Sequence, residues 1–270
     1  EGVLSFEYDT SSFADVGGLN GLKEWLSKRR DYFLNPRAGV DSPKGVLLLG
    51  VQGGGKSLAA KAVAGMWGVP LLRLDFSALY NKYIGETEKN LRESLAMADT
   101  LAPCVLWLDE IEKALSVDAS DNGTSKRLLG ALLTWMAERR QPVFLVATSN
   151  DISRMPPELV RKGRLDEIFF VDLPSEVVRR DIFSIHLRKR FQNPEGLDLD
   201  SLARASDGFS GAEIEQAVVS GLYRCQAEAV ELDTQHLLQE IASTQPLSIV
   251  MAERLAELRT WAAGRTVAAD

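Results

Sequence analysis

The eight residues Gly50-Val-Gln-Gly-Gly-Gly55-Lys56-Ser57 set four glycines ahead of a lysine and a hydroxyl. The spacing is G-x-x-x-x-G-K-[ST], and each residue type has a task in it. Gly50, Gly53, Gly54 and Gly55 let backbone N–H groups curl around phosphate oxygens. Lys56 meets the β and γ phosphates, Ser57 can ligate Mg²⁺, and Leu58 follows in the first turn of a helix whose positive end faces the anion. A second acidic element closes the apolar run Cys104-Val-Leu-Trp-Leu-Asp109-Glu110. Two acids at a strand end can simply be solvated. Beside a phosphate loop they divide the labour: Asp109 holds Mg²⁺, directly or through water, and Glu110 orients and polarises an attacking water. Another apolar run ends in Ala147-Thr-Ser-Asn150. Asn150 can position the same water if its strand is inserted between the other two; otherwise it is an ordinary strand terminator.

These groups need a scaffold that brings three strand ends together. Val46–Leu49, Leu71–Asp75, Cys104–Asp109, Val143–Thr148 and Ile168–Val171 are short, apolar and bounded by Gly, Pro or polar residues, which predicts buried strands. Lys56–Met66, Glu86–Ala98 and Lys126–Glu138 have helical spacing between them. The alternation predicts an α/β fold, a parallel sheet with helices on both faces. After Pro174 the strand pattern stops, and Glu176–Arg190, Leu199–Arg204, Gly211–Ala229, Thr234–Ala242 and Leu247–Ala263 are all helical in period. The reading is therefore an α/β nucleotide-binding domain over 1–173 and a small all-α lid domain over 174–270. Asp118–Thr124, rich in Ser, Asn, Asp and Gly, reads as a mobile loop.

Composition narrows the partners. The 270 residues carry 31 Lys plus Arg against 38 Asp plus Glu, a net charge of −7, and no basic aromatic stripe, so nucleic acid is an unexpected ligand. No run of about 18 apolar residues predicts a membrane span. Cys104 and Cys225 are too few for a disulfide scaffold, and Cys104 lies in an apolar run, as suits a reducing compartment. The expected location is cytoplasmic, or the chloroplast stroma for an algal chain. Because the chain opens at Glu1 rather than Met, an upstream region is also expected.

The order of the phosphate loop, Asp109-Glu110 (Walker B), Asn150, Arg161-Lys-Gly-Arg164-Leu-Asp166 and Gly208-Phe-Ser-Gly211-Ala212-Glu213 resembles the AAA clade of the AAA+ ATPases. The likeness runs from Phe13-Ala-Asp-Val-Gly-Gly18-Leu to about Leu258. Gly50–Ser57, Ala102-Pro-Cys-Val-Leu-Trp-Leu-Asp-Glu110 and Ile214-Glu-Gln-Ala217 are similar to the ycf-type AAA proteins of chloroplast genomes and cyanobacteria. The resemblance implies a P-loop NTPase fold with a helical lid, the cofactors ATP and Mg²⁺, and a homo-oligomeric ring, usually a hexamer. It implies that Asp15, Val16 and Gly17 cradle adenine, with His186, Gly211 and Ala212 as the other wall; a core histidine is the plainer reading of His186. It implies that Arg161 and Arg164 are fingers acting on the neighbouring subunit's ATP, against the plain reading of a solvated face. It implies that Tyr83 and Ile84, within Leu79-Tyr-Asn-Lys82-Tyr83-Ile84-Gly85-Glu-Thr-Glu88, grip an extended protein substrate in the pore; a helix-capping aromatic is the plainer reading of Tyr83.

Departures from the family pattern are Val51-Gln52 in place of two prolines, Gly54 in place of Thr, Lys162 in place of proline, and Thr134-Trp-Met136-Ala137-Glu138 where Asp-Gly-Phe usually links neighbouring sites. Two functions compete. One is an Mg²⁺-dependent ATPase ring that remodels, unfolds or threads a protein. The other is a regulatory ATP-binding module that switches partners without threading.

Overall fold

The computed structural model describes residues 3–8, 15–80, 84–115, 123–161 and 163–270, with the backbone alone at 77, 84 and 85. Among the described residues, β1 (Leu4–Glu7), β2 (Gly45–Leu49), β3 (Leu71–Leu74), β4 (Cys104–Leu108), β5 (Val143–Ser149), β6 (Glu167–Phe170) and β7 (Val267–Ala268) form one sheet in the order β1-β3-β4-β5-β2-β6-β7. All neighbours pair in parallel except β1 with β3.

The inner strands β2 and β4 are apolar throughout because both faces are covered. Successive side chains point to opposite faces. Thus Leu47, Leu72, Leu74, Leu106, Leu108 and Leu145 pack with α4 (Ile84–Thr100) and α6 (Thr124–Glu138). Val46, Leu48, Val105, Trp107, Phe144, Val146 and Phe169 pack with α1 (Asn20–Leu34) and α2 (Lys56–Trp67). Phe33, Trp67 and Phe144 meet at ring-centroid distances of 4.6–6.0 Å and fill the second face. Shorter helices, α3 (Phe76–Tyr80), α5 (Ile111–Leu115) and α7 (Pro157–Val160), complete the sheet unit.

Beyond Pro174, α8 (Glu176–Lys189), α9 (Leu199–Ala205), α10 (Gly211–Glu228) and α11 (Thr234–Ala242) enclose a separate core running from Val178 to Ile241. The expected helix over Leu247–Ala263 is two, α12 (Leu247–Val250) and α13 (Ala252–Ala262), interrupted at Met251. These do not join the lid core. Leu247, Leu255, Leu258 and Trp261 pack with Leu49 and Val51 at the end of β2.

The strand pattern does not stop at Pro174. β7 returns to pair with β6, Leu22 N–H donates to Ala269 O at 2.9 Å, and Ala269 is buried. A two-residue strand carries no period to read, and β1, solvated on part of its length, was equally silent. Of the expected loop, residues 118–122 lie outside the described residues, and Thr124 is helical.

Candidate nucleotide site

β2 ends at Leu49, α2 opens at Lys56, and the glycine loop lies between. Gly53 and Gly55 have φ of 79° and 102°, where a side chain is strained. A Cβ on Gly50 would stand 2.6 Å from Val171 O, and one on Gly54 2.9 Å from Val51 O. Lys56 is buried, and its Nζ donates to Gly50 O at 2.8 Å and Val51 O at 2.7 Å. Burial pushes its pKa down to about 8, against the pull of Glu112, Asp109 and Glu110. Ser57 and Leu58 are exposed on the first turn of α2.

β5 lies between β4 and β2, the arrangement that Asn150 requires. Thr148, buried on β5, ties the acidic pair together: its Oγ1 donates to Asp109 Oδ1 at 2.7 Å and accepts from Glu110 N–H at 3.0 Å. Glu110 has a left-handed φ of 49°, uncommon for a residue with a side chain. Its Oε1 accepts from Asn150 Nδ2 at 3.0 Å and its Oε2 from Lys113 Nζ at 2.6 Å. Asn150 and Glu110 therefore share one site.

Sequence reasoning missed Glu112. It is 2% exposed, and its Oε1 accepts from Asn150 N–H at 2.9 Å while its Oε2 is buried with no hydrogen-bond partner among the described residues. Burial raises its pKa. The available signal was a third acid three residues after Asp109, at the start of a helix that returns it to the same strand ends.

The expected adenine walls also converge. Lys23 Nζ donates to Val16 O at 2.7 Å, and Lys189 Nζ lies 4.0 Å from Asp15 Oδ1. A Cβ on Gly17 would be 2.6 Å from Ile182 Cγ1, and one on Gly211 would be 3.7 Å from Ile182 Cδ1. Ile182 of α8, unnamed by any sequence motif, is thus the side chain that both glycines approach. Ala212 is exposed on the first turn of α10. His186, one turn beyond Ile182, is largely buried, with Nδ1 3.3 Å from Arg190 Nη1 and 3.7 Å from Glu215 Oε1. Burial lowers its pKa. Its contacts link α8 and its C-cap Arg190 to Glu215 of α10.

Arg161 and Arg164 are not brought to this site. They flank the turn ahead of β6, where Asp166 Oδ2 accepts from Lys44 N–H at 2.6 Å and Gly45 N–H at 2.8 Å at the start of β2. The phosphate loop leaves the other end of β2. Since β2 and β6 are parallel, five residues at ~3.3 Å each put about 16 Å of strand between these two arginines and the loop. Among the described residues neither guanidinium has a hydrogen bond or ion pair. Tyr83 lies outside the described residues, and of Ile84 only the backbone is described, opening α4.

The loop fits a nucleotide's phosphates: its glycines hold turns that a Cβ would block, and Lys56 is a cation with two local acceptors to exchange. Among the described residues no cluster of three or more His, Cys, Asp or Glu forms a metal site. Ser57 and Asp109 alone would leave a cation dependent on phosphate oxygens and water, the usual habit of Mg²⁺.

Residues 46–173 match the ATPase family associated with various cellular activities (AAA). The chain is 45% identical over 253 residues to the AAA domain-containing protein ycf46 of Pyropia yezoensis, covering 92% of this chain and 51% of that one. To ycf46 of Gracilaria tenuistipitata it is 42% identical over 265 residues, covering 96% and 54%. To the proteasome-activating nucleotidase of Aeropyrum pernix it is 38% identical over 223 residues, covering 78% and 54%. The chain spans about half the length of these curated relatives. With the glycine loop, the Thr148-linked acids and the interposed β5 in place, the chain belongs to the AAA family of ATPases, as a member of the ycf46 type.

Proposed function

We propose that this chain is the motor unit of an Mg²⁺-dependent ATP hydrolase that assembles as a homo-oligomeric ring, hexameric by the family's habit, and remodels or threads a protein. The observation that carries the reading is the placing of Arg161 and Arg164 at the opposite end of β2 from their own phosphate loop. Fingers so placed serve a phosphate loop only on another subunit. Within one subunit, Lys56 exchanges its two carbonyl partners for phosphate oxygens, and Ser57 and Asp109 hold the cation. When bound, Mg²⁺ supplies charge neutralisation at the phosphates. Glu110, fixed by Asn150, accepts a proton from the attacking water. Ile182, Val16, Gly17 and Gly211 form the slot offered to the base.

Subunits of Arg164→Ala and of Lys56→Ala are expected to be inactive separately and to regain turnover when mixed, because one interface in the mixed ring has an intact loop and an intact finger. A finger is typically worth about 10³–10⁵ in rate, so recovery is readily measured. Mixed oligomers, verified by mass, that stay inactive would count against the assignment.

One observation favours the regulatory reading. Where the family has Asp-Gly-Phe, Trp135 Nε1 donates to Asp99 Oδ2 at 2.9 Å and pins α6 to α4, and Arg139 stacks on its ring at 4.8 Å. A segment so held is poorly suited to relay a neighbour's nucleotide state. ATP turnover unmoved by any unfolded protein substrate would select this reading over threading.

A further inference from the structure

Arg73 was singled out by no motif, yet its side chain reaches the acidic pair. β3 and β4 pair in parallel with Arg73 opposite Trp107, so both side chains leave one face of the sheet, and Asp109 follows two residues after Trp107, just past the end of β4. The Arg73 guanidinium sits 4.8 Å from the Trp107 ring centroid, and its Nη2 lies 3.3 Å from Asp109 Oδ2. Asp109 Oδ1 is held by the Thr148 hydroxyl at 2.7 Å. One oxygen of the carboxylate therefore faces a neutral donor and the other a permanent cation. On the far side, antiparallel β1 brings Glu7 Oε1 to 4.0 Å from Arg73 Nη1. Among the described residues Arg73 Nε is buried without a hydrogen-bond partner, so apart from the Trp107 ring the guanidinium is held only by its two carboxylates.

We propose that Arg73 is a positioning residue that occupies Asp109 Oδ2 as a resident counter-cation, competes there with the incoming divalent cation, and is drawn aside by Glu7. The inference rests on the reading that Asp109 holds Mg²⁺. A guanidinium and a divalent ion on one carboxylate repel, since two positive centres a few ångströms apart in a partly desolvated site interact far more strongly than in water. Glu7, supplied by a strand added in reverse at the sheet edge, gives the displaced cation another carboxylate. The stacking on Trp107 keeps the motion short. In this view β1 sets the cation affinity of a site on the third strand of the sheet.

The test is calorimetry of ADP binding with and without Mg²⁺, the ratio of the two affinities being the Mg²⁺ increment. Arg73→Gln is expected to raise the increment about tenfold while leaving Mg²⁺-free ADP affinity unchanged, a change equal to ~1.4 kcal/mol. Glu7→Gln, which leaves the guanidinium to Asp109 alone, is expected to lower it roughly threefold, by the same electrostatic reasoning. An increment that is unchanged or reduced in Arg73→Gln overturns the proposal. Asp109→Asn separates the two readings. If it abolishes the increment while Arg73→Gln leaves it unmoved, only the role of Arg73 fails; if Asp109→Asn also leaves it unmoved, the cation role of Asp109 fails with it.

Discussion

Lys56 is held by its own loop before any ligand arrives. With a pKa pushed down to about 8, part of the population is neutral in mildly alkaline solution, and only the ammonium pairs with phosphate. ADP affinity is thus expected to fall as pH rises through about 8. Binding at pH 8.5 is expected to take up protons, because phosphate stabilises the charged form; calorimetry in two buffers of different ionisation enthalpy measures this. Lys56→Ala is expected to abolish binding, whereas Glu110→Gln, which keeps the acceptor for Asn150, is expected to bind nucleotide and stop hydrolysing it. Equal loss of affinity in both variants would overturn that division of roles. At this scale legibility follows locality. The glycine loop and its lysine act through their own backbone and could be read from spacing alone. Glu112, Ile182 and Arg73 act on partners at least 29 residues away in the chain; Glu112 left a faint signal as a third acid beside Asp109, whereas nothing in the sequence around Ile182 and Arg73 marks the meeting.

Between the lid and the phosphate loop runs a chain of contacts centred on Glu213. Its Oε1 accepts from Ser210 N–H at 2.9 Å, closing the capping box of α10, and from Leu247 N–H at 3.1 Å at the start of α12. Leu247 in turn approaches the P-loop, its Cδ2 3.8 Å from where a Cβ on Gly53 would stand. Glu213→Ala removes an acceptor from two backbone donors at once. It is expected to lower stability by about 1–2 kcal/mol in urea unfolding, more than loss of a cap alone, with Glu213→Gln much milder because the amide oxygen remains. A drop no larger for Ala than for Gln would show that the carboxylate's two-way bond carries no energy. The interior strands could be read because burial on both faces leaves unbroken apolar runs. α12 and α13 could be read as helical but not placed, since their apolar stripe fits either unit and only the assembled end of β2 selects between them.

At the scale of the molecule, the sheet separates the phosphate loop from Arg161 and Arg164, and the proposed ring would need a neighbouring subunit to bring the two together. Both thiols are withdrawn from reaction: Cys104 and Cys225 are buried, and burial pushes the Cys104 thiol up to about 12. The sheet also joins distant parts of the chain. β6 finishes at Phe170, but among the described residues its outer edge is paired only by Val267 and Ala268, and Leu22 N–H of α1 donates to Ala269 O. During vectorial synthesis, nearly a hundred residues therefore leave the ribosome while that edge stays open to any passing strand. A chain stopped at Gly264 recreates the half-made state permanently. It is expected to lose several degrees of melting temperature and to scatter light at micromolar concentration, and adding a peptide of residues 265–270 in trans should reduce the scatter. The nascent lid helices, which fold on a core of their own, would be finished while the older sheet still waits for its last strand.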